Sequence, residues 1–418
     1  MPHLVMKHFT LLMCMCMAGA ILGLASPFWP LLLYYIIAVL QPAVMWSWSL
    51  QGWPEVRWGA VSATILIVSC LIHGKGLLRD LKLNPILALC AVFGAWVTIS
   101  ALSAFSVDTA SAWGYELAKI LIVVALGSVI VRRVWQVRLL TLAAAACVAY
   151  VALSIHRQYF FEGGRLDVYH QGLLNLDNNG VGLVLVIALP LAYYAAFHRA
   201  TMSPQASLAL RAAGFVGFGL ILHAVMMTYS RGSMIAAALA CAWLVWCHRP
   251  RRHALGLGVL GVAVILSLAG PDIRERAASS FEVDVDSSAQ SRLSSWEAAW
   301  DMTWDNPLLG AGMRNSVKFS HNFGADLPGR VVHNQYLQVA ADSGLPAAAI
   351  YVAMVGLSWM RLNGCRRTAV RAGEEARRLG DERAEARAQD AERLCLALSA
   401  SIIALASSAM FLSIEIIE

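Results

Sequence analysis

Apolar runs of roughly 15 to 22 residues recur from the first ten residues almost to the last ten of this chain, each long enough, or nearly so, to cross a ~30 Å hydrocarbon core as a helix. Inside a bilayer every backbone N–H and C=O has to be satisfied within the spanning element. A long series of such runs therefore restricts the fold to a bundle of transmembrane helices. With 59% hydrophobic and 14% charged residues, the chain also has too little polar surface to enclose a soluble globule of its size. The sequence predicts an all-α, polytopic integral membrane protein with about twelve spans. They fall near 9–25, 28–46, 58–72, 85–104, 115–131, 137–155, 181–198, 211–228, 232–247, 254–269, 346–361 and 394–413. The first run passes through Ser26 and Pro27 into the next without a small-residue cleavage site, so it reads as a retained span.

Basic clusters alternate along the chain between the spans. Lys75, Arg79 and Lys82; Arg132, Arg133 and Arg138; Arg199 and Arg211; Arg249, Arg251 and Arg252; and the stretch 361–393 all fall on one side, which the positive-inside rule makes cytoplasmic. Loops 105–114, 156–180, 229–231 and 270–345 then face outward. Three spans in the first 72 residues place the N-terminus outside, whereas Lys7 and His8 favour inside, so one of those runs is a candidate re-entrant or interfacial segment. The chain divides into N-terminal helices (1–149), a core (150–360) holding the outward loop 270–345 with its helical segment before the last two spans, a charged helix (361–393) and a final span (394–418). Residues 361–393 carry nine arginines and seven acidic residues, as a solvated helix with i,i+4 pairs such as Glu374 and Arg378 would.

The net charge of +6 comes largely from these arginine clusters and bears on topology and anionic membrane lipids. No basic stripe interleaved with aromatics occurs on a soluble segment, which excludes nucleic acid as a partner. None of the nine cysteines lies in 270–345, so neither a disulfide framework nor a cysteine zinc site is indicated. Asp284 and Asp286 lack a third ligand at metal spacing, and no metal site is assigned.

Candidate site residues gather in the outward loops. Arg231, in TYSRGS, sits in a turn so short that its guanidinium stays at the membrane surface, either snorkelling or holding an anion. Arg292, Trp296, Trp300 and Trp304 recur at i+4 on a helix that Ser287 or Ser288 can cap and Pro307 can close. Such a stripe anchors a helix at headgroup depth and holds Arg292 there with it. His333 opens the short helix HNQYLQVAADSG, which Gly344 can end before Pro346 starts the next span. A histidine there is either structural or able to accept a proton from a hydroxyl, with Asn334 and Gln335 available to orient it or a sugar. Loop 156–180 adds Arg157, Arg165, His170, Asp177, Asn178 and Asn179; two arginines and two amides there suit phosphate or sugar, or are ordinary loop residues.

Taken together, LDNNGVGLVLVIALPL, TYSRGS, SRLSSWEAAWDMTWDNPLLGAGM and HNQYLQVAADSGLP resemble the bacterial O-antigen ligase family over about residues 150–360. QPAVMWSWSLQGWPEVRWG is similar to an N-terminal region of one branch of these ligases. The resemblance implies a multi-pass inner-membrane glycosyltransferase of lipopolysaccharide biosynthesis. It would take a glycan from undecaprenyl diphosphate and join it to lipid A-core at the periplasmic face, without a metal or other cofactor. Carried over by position, Arg231 and Arg292 become diphosphate-binding residues and His333 the catalytic histidine, with Arg165, for the diphosphate, and the Asn178–Asn179 pair as looser matches. Asn334, Asn179 and Trp296 become substrate-positioning residues. Relatives often continue past SIEIIE into another apolar span, so the C-terminal topology is the least constrained. O-antigen polymerases and protein O-oligosaccharyltransferases share the domain. A lipid-linked oligosaccharide flippase or secondary transporter fits less well, because no repeat stands out and the ionisable residues collect at one face.

Overall fold

The computed structural model describes residues 2–79, 84–161, 176–198, 204–248 and 287–413, with positions 256 and 259 besides. Among the described residues the regular elements are helices, without strands. The apolar runs form α1 (Pro2–Gly23), α2 (Phe28–Leu40), α3 (Trp58–Ile72), α4 (Pro85–Leu102), α5 (Val107–Ile130), α6 (Val134–Phe161), α7 (Asn178–Phe197), α8 (Pro204–Met227) and α9 (Arg231–Cys247). Further on come α10 (Ser287–Asp305), α11 (Gln335–Arg378) and α12 (Glu382–Ser408). Seven of these, α4 to α8 with α11 and α12, are long and apolar enough to cross a membrane; α1, α2, α3 and α9 contain shorter apolar helices. The expected span 254–269 lies outside the described residues, positions 256 and 259 apart.

The run at 28–46 is not one helix. α2 stops at Leu40, Gln41 takes a left-handed φ of 41°, and a separate turn begins over Pro42–Met45. Proline lacks the donor that would continue the helix and disfavours helical backbone in the residue before it. The 13 residues of α2 rise about 20 Å, short of the hydrocarbon thickness. The broken end is tied to the bundle by Trp46, whose Nε1 donates to Tyr150 Oη on α6 at 2.8 Å.

α7 is apolar on all sides, and 89% of its span is buried, as a helix at the centre of a bundle should be. It packs against α6, α8, α9 and α12, with Leu185, Leu189 and Tyr193 sharing one core with Val151, Ile221 and Ala240. At Gly214 of α8 the two backbones come so close that a Cβ would overlap the Ala196 main chain. Small residues at such crossings supply packing where lipid offers no hydrophobic drive.

α11 breaks at Gly344 (φ 81°, ψ 169°), and Leu345 N there donates to Pro307 O at 2.8 Å. A glycine is needed at this point both for its backbone angle and because a Cβ would overlap the Leu308 carbonyl. Beyond the break, α11 runs to Arg378 and turns at Gly380 (φ 72°) into α12. The charged stretch 361–393 is therefore not a separate helix but the far arms of a hairpin that prolongs two spans. Arg377 clamps the arms, its Nε and Nη2 donating to Glu385 Oε1 at 2.8 and 2.6 Å.

Substituting Gly214→Val should lower the thermal stability of the detergent-purified protein by about 1–3 kcal/mol or prevent folding. Gly219→Ala on the same helix, where a Cβ meets nothing within 4 Å, should leave it unchanged or slightly raised. A melting curve of each variant checks this.

Candidate active site

Most of the candidate residues lie at the end of the bundle where α8 and α12 finish and α7, α9 and α11 begin. Thr228 and Tyr229 make the turn between α8 and α9, with Tyr229 at φ 54°. Ser230 caps α9, its Oγ accepting from Ser233 N at 3.4 Å, and the half-buried Arg231 is the first helical residue. The neighbouring N-terminus is held against it. Asp177 caps α7 by accepting from Gly180 N at 2.7 Å and from Asn179 Nδ2 at 3.1 Å. Ser230 Oγ donates to Asn179 Oδ1 at 2.8 Å, and Asn178 Nδ2 donates to Thr228 O at 3.2 Å. Two helix N-termini, each carrying the positive end of a dipole, thus flank the arginine.

His333 reaches the same end through α12. Gln335 N donates to Ala409 O at 2.8 Å, and Tyr336 Oη to Ala406 O at 2.9 Å. Two residues on, Phe411 lies against Gly232, where a Cβ would stand 2.7 Å from the Phe411 Cβ. The tail of α12 is thereby wedged between Arg231's helix and the histidine's. His333 itself has φ 52°, a left-handed conformation that costs a non-glycine residue of order 1–3 kcal/mol and persists only where its surroundings impose it. Asn334, expected to orient the histidine or a sugar, caps α11: its Oδ1 accepts from Tyr336 N at 3.1 Å and Leu337 N at 3.2 Å.

Arg292 approaches from the other side. Ser295 Oγ, one turn along α10, bonds both Arg292 O at 2.8 Å and Val332 O at 3.2 Å. The residue before His333 is thereby fixed to the turn of α10 that carries Arg292. The tryptophan stripe divides. Trp296 packs into a small core with Ala299, Met302, Val332 and Ala341, whereas Trp300 and Trp304 are 50% and 56% exposed and contact each other edge to face. Only the latter two are placed as interfacial anchors would be, because the i+4 stripe curves around the helix and its first ring meets the protein.

The segment after α10 braces the histidine's helix from below. Ala311 N and Gly312 N donate to Ala341 O and Asp342 O at 2.8 and 2.7 Å. Buried Asp342 accepts from Ser316 N at 2.8 Å, and Ser100 Oγ of α4 reaches Leu309 O at 2.6 Å. Arg330 donates from Nε to Asp326 Oδ1 at 2.7 Å and holds that carboxyl below its ordinary value, which ties down the chain leading to Val332. Sequence reading missed Ser230, Ser295, Tyr336 and residues 406–411. Ser230 alone carried a local signal, as a cap residue before a helix; the others act across long separations. Arg165, His170, Asp284 and Asp286 lie outside the described residues. Among the described residues no three His, Cys, Asp or Glu side chains group as metal ligands.

Residues 216–352 match the family model for O-antigen ligase. That segment of the chain is similar to an O-antigen ligase domain, and it contains Arg231, Arg292 and His333. Its boundaries enclose the end of α8, α9, α10 and the break in α11; Asn179 and the tail of α12 lie outside it in sequence and join it in space. Members of this family are glycosyltransferase-like enzymes of lipopolysaccharide synthesis. No curated protein matches the chain.

A double-mutant cycle on Ser230→Ala and Asn179→Ala, read by denaturant unfolding in detergent, should give a coupling of about 0.5–1.5 kcal/mol. Additive losses would show that the bond from the Ser230 cap of α9 to Asn179 in the first turn of α7 contributes nothing.

Proposed function

We propose that the protein is a lipid-linked glycan ligase that transfers a glycan from undecaprenyl diphosphate to lipid A-core, at the periplasmic face of the bacterial inner membrane. The observation that carries this reading is the convergence of the Arg231 turn, the Arg292 helix and His333 within the segment similar to an O-antigen ligase domain. Orientation is supported by charge: the far end of the bundle holds Arg132, Arg133, Arg211 and the arginine-rich hairpin, and such clusters stay in the cytoplasm.

Transfer breaks the bond between the anomeric carbon and the diphosphate and forms one to the acceptor hydroxyl. Charge develops on the departing undecaprenyl diphosphate. Arg231 and Arg292 each present paired donors matched to phosphate oxygens, and stabilisation aimed at the leaving group is usually the largest catalytic term. The N-termini of α7 and α9 add partial positive charge at the same place. His333 accepts the acceptor's hydroxyl proton as that oxygen attacks, and displacement from the opposite face inverts the anomeric configuration. No metal is required for either role. Asn179, bonded to Ser230, positions the Arg231 turn, and Trp296 positions Arg292 through its packing on Val332. Arg165 is proposed as a further diphosphate contact on the resemblance alone.

His333→Ala should abolish glycan attachment while the protein still reaches the membrane; full activity would remove the imidazole from the mechanism. Arg231→Lys should lose about tenfold or more in turnover, because a point charge cannot replace a fork; unchanged kinetics would mean that the arginine merely snorkels. Purified enzyme supplied with lipid A-core, growing polymer or protein acceptors should modify the first, and transfer confined to either of the others would reassign the acceptor. Activity should survive excess chelator, measured as product formed from the undecaprenyl-linked donor.

A further inference from the structure

At the opposite end of the bundle from the candidate active site, a cavity of about 400 Å³ lies between α2, α5, α6 and α7. Val124, Gly127 and Val131 line it from α5 and the residue after it, and Leu140, Ala144 and Cys147 line it from α6. Positions 124, 127 and 131, like 140, 144 and 147, repeat at three and four residues, so each set forms a stripe on one helix face. The two stripes make a channel that runs about 10 Å along the helix axes. Its walls are mostly carbon, with Tyr35, Ser128 and Thr141 as the polar exceptions, which suits a methylene chain better than water. The volume lies at the low end of the ~300–1,000 Å³ that hold small ligands.

The rim of this channel is cationic. Val131 lines the cavity, and the next two residues, Arg132 and Arg133, are both exposed in the link between α5 and α6. Gln136 fixes that link by accepting from both arginine backbone N–H groups at 2.8 Å. Arg138, a turn further on, is engaged differently: its Nη2 lies 2.6 Å from buried Asp390, so its charge is neutralised within the bundle. Beside the link, Trp135 meets Phe28 edge to face at 5.0 Å and Trp29 at 6.2 Å, and Trp135 is 42% exposed. Clustered tryptophans of this kind mark headgroup depth. An apolar channel inside that level and two exposed guanidiniums at it match the two halves of one molecule.

We propose that this is a binding site for an anionic phospholipid of the surrounding bilayer, with an acyl chain between α5 and α6 and the phosphate on Arg132 and Arg133. The ligand is distinct from the glycan donor, and the site is formed by residues remote from His333. Exposed basic residues beside a membrane helix recognise anionic headgroups by charge and geometry, while the channel contributes chain contacts without regard to headgroup.

Native mass spectrometry of the full-length protein in detergent, titrated with phosphatidylglycerol or phosphatidylcholine of identical chains, tests both halves. Phosphatidylglycerol should bind roughly tenfold tighter. Arg132→Gln with Arg133→Gln should reduce it to the phosphatidylcholine level. Gly127→Leu should weaken both lipids, because a Cβ at 127 meets only Tyr35 Oη, at 3.7 Å, and Gly127 lines the channel, so the larger side chain takes up channel volume. Equal affinity for the two lipids, or unchanged phosphatidylglycerol binding in either variant, would overturn the proposal. Should Gly127→Leu fail to fold, a phospholipid with a photoreactive chain decides on the unaltered protein: labelling between residues 124 and 147 supports the site, and labelling confined elsewhere refutes it. These readouts involve no glycan transfer, so they stand or fall apart from the catalytic reading.

Discussion

The hydrogen bond from Gln335 N to Ala409 O, with Tyr336 Oη on Ala406 O beside it, joins the two pieces of chain on which the site depends. Without it the start of the short helix 335–343 would lose its tie to α12, although Val339 would still pack against Phe93 and Val97 of α4 and Val332 would still be bonded to Ser295. With it, the tail of α12 acts as a spacer: one face takes Gln335 and Tyr336, and Phe411 takes Gly232 next to Arg231. The Ser295 bond to Val332 closes the arrangement from the side of Arg292. Backbone carbonyls at the end of a helix have no intrahelical partner, and here those of α12 become the means of assembly.

The other end of the bundle is built on a different principle. Asp390, fully buried on α12, accepts Arg138 Nη2 at 2.6 Å and Tyr194 Oη at 3.2 Å and lies 2.8 Å from His198 Nδ1. A buried carboxylate is tolerated only when it is paired and hydrogen-bonded, and removing one partner typically costs several kcal/mol. This cluster locks α6, α7 and α12 together at one level, so that the opposite ends of the same helices present side chains from a rigid frame. α7 and α12 thus serve both ends: they are clamped by charge at one and carry caps and carbonyls for the site at the other.

Much of this was legible in the sequence where the signal was local. The turn TYSRGS put Arg231 at a span boundary, Gly344 before Pro346 gave the break in α11, and apolar length gave the helical class. Three features were misread for identifiable reasons. The run 28–46 is apolar but for Gln41, and its break depends on the backbone conflict at Gln41 and Pro42. The charged stretch 361–393 keeps a helical pattern on both sides of Gly380, so periodicity conceals the hairpin. Trp296 shares its spacing with Trp300 and Trp304, but its burial is decided by Val332 and Ala341. Residues 406–411 carried no sign of their place beside the site, since a contact with Gln335 or Gly232 arises only when α12 packs back against the bundle.

A structure of the full-length protein bound to undecaprenyl diphosphate is the most direct measurement of whether fixed guanidiniums and one imidazole share a single substrate. The expected result places diphosphate oxygens roughly 2.7–2.9 Å from guanidinium nitrogens of both Arg231 and Arg292, with the His333 ring facing the position of the anomeric carbon. A diphosphate bound elsewhere on the protein, or held by one arginine with the other turned away from it, would contradict the convergent site.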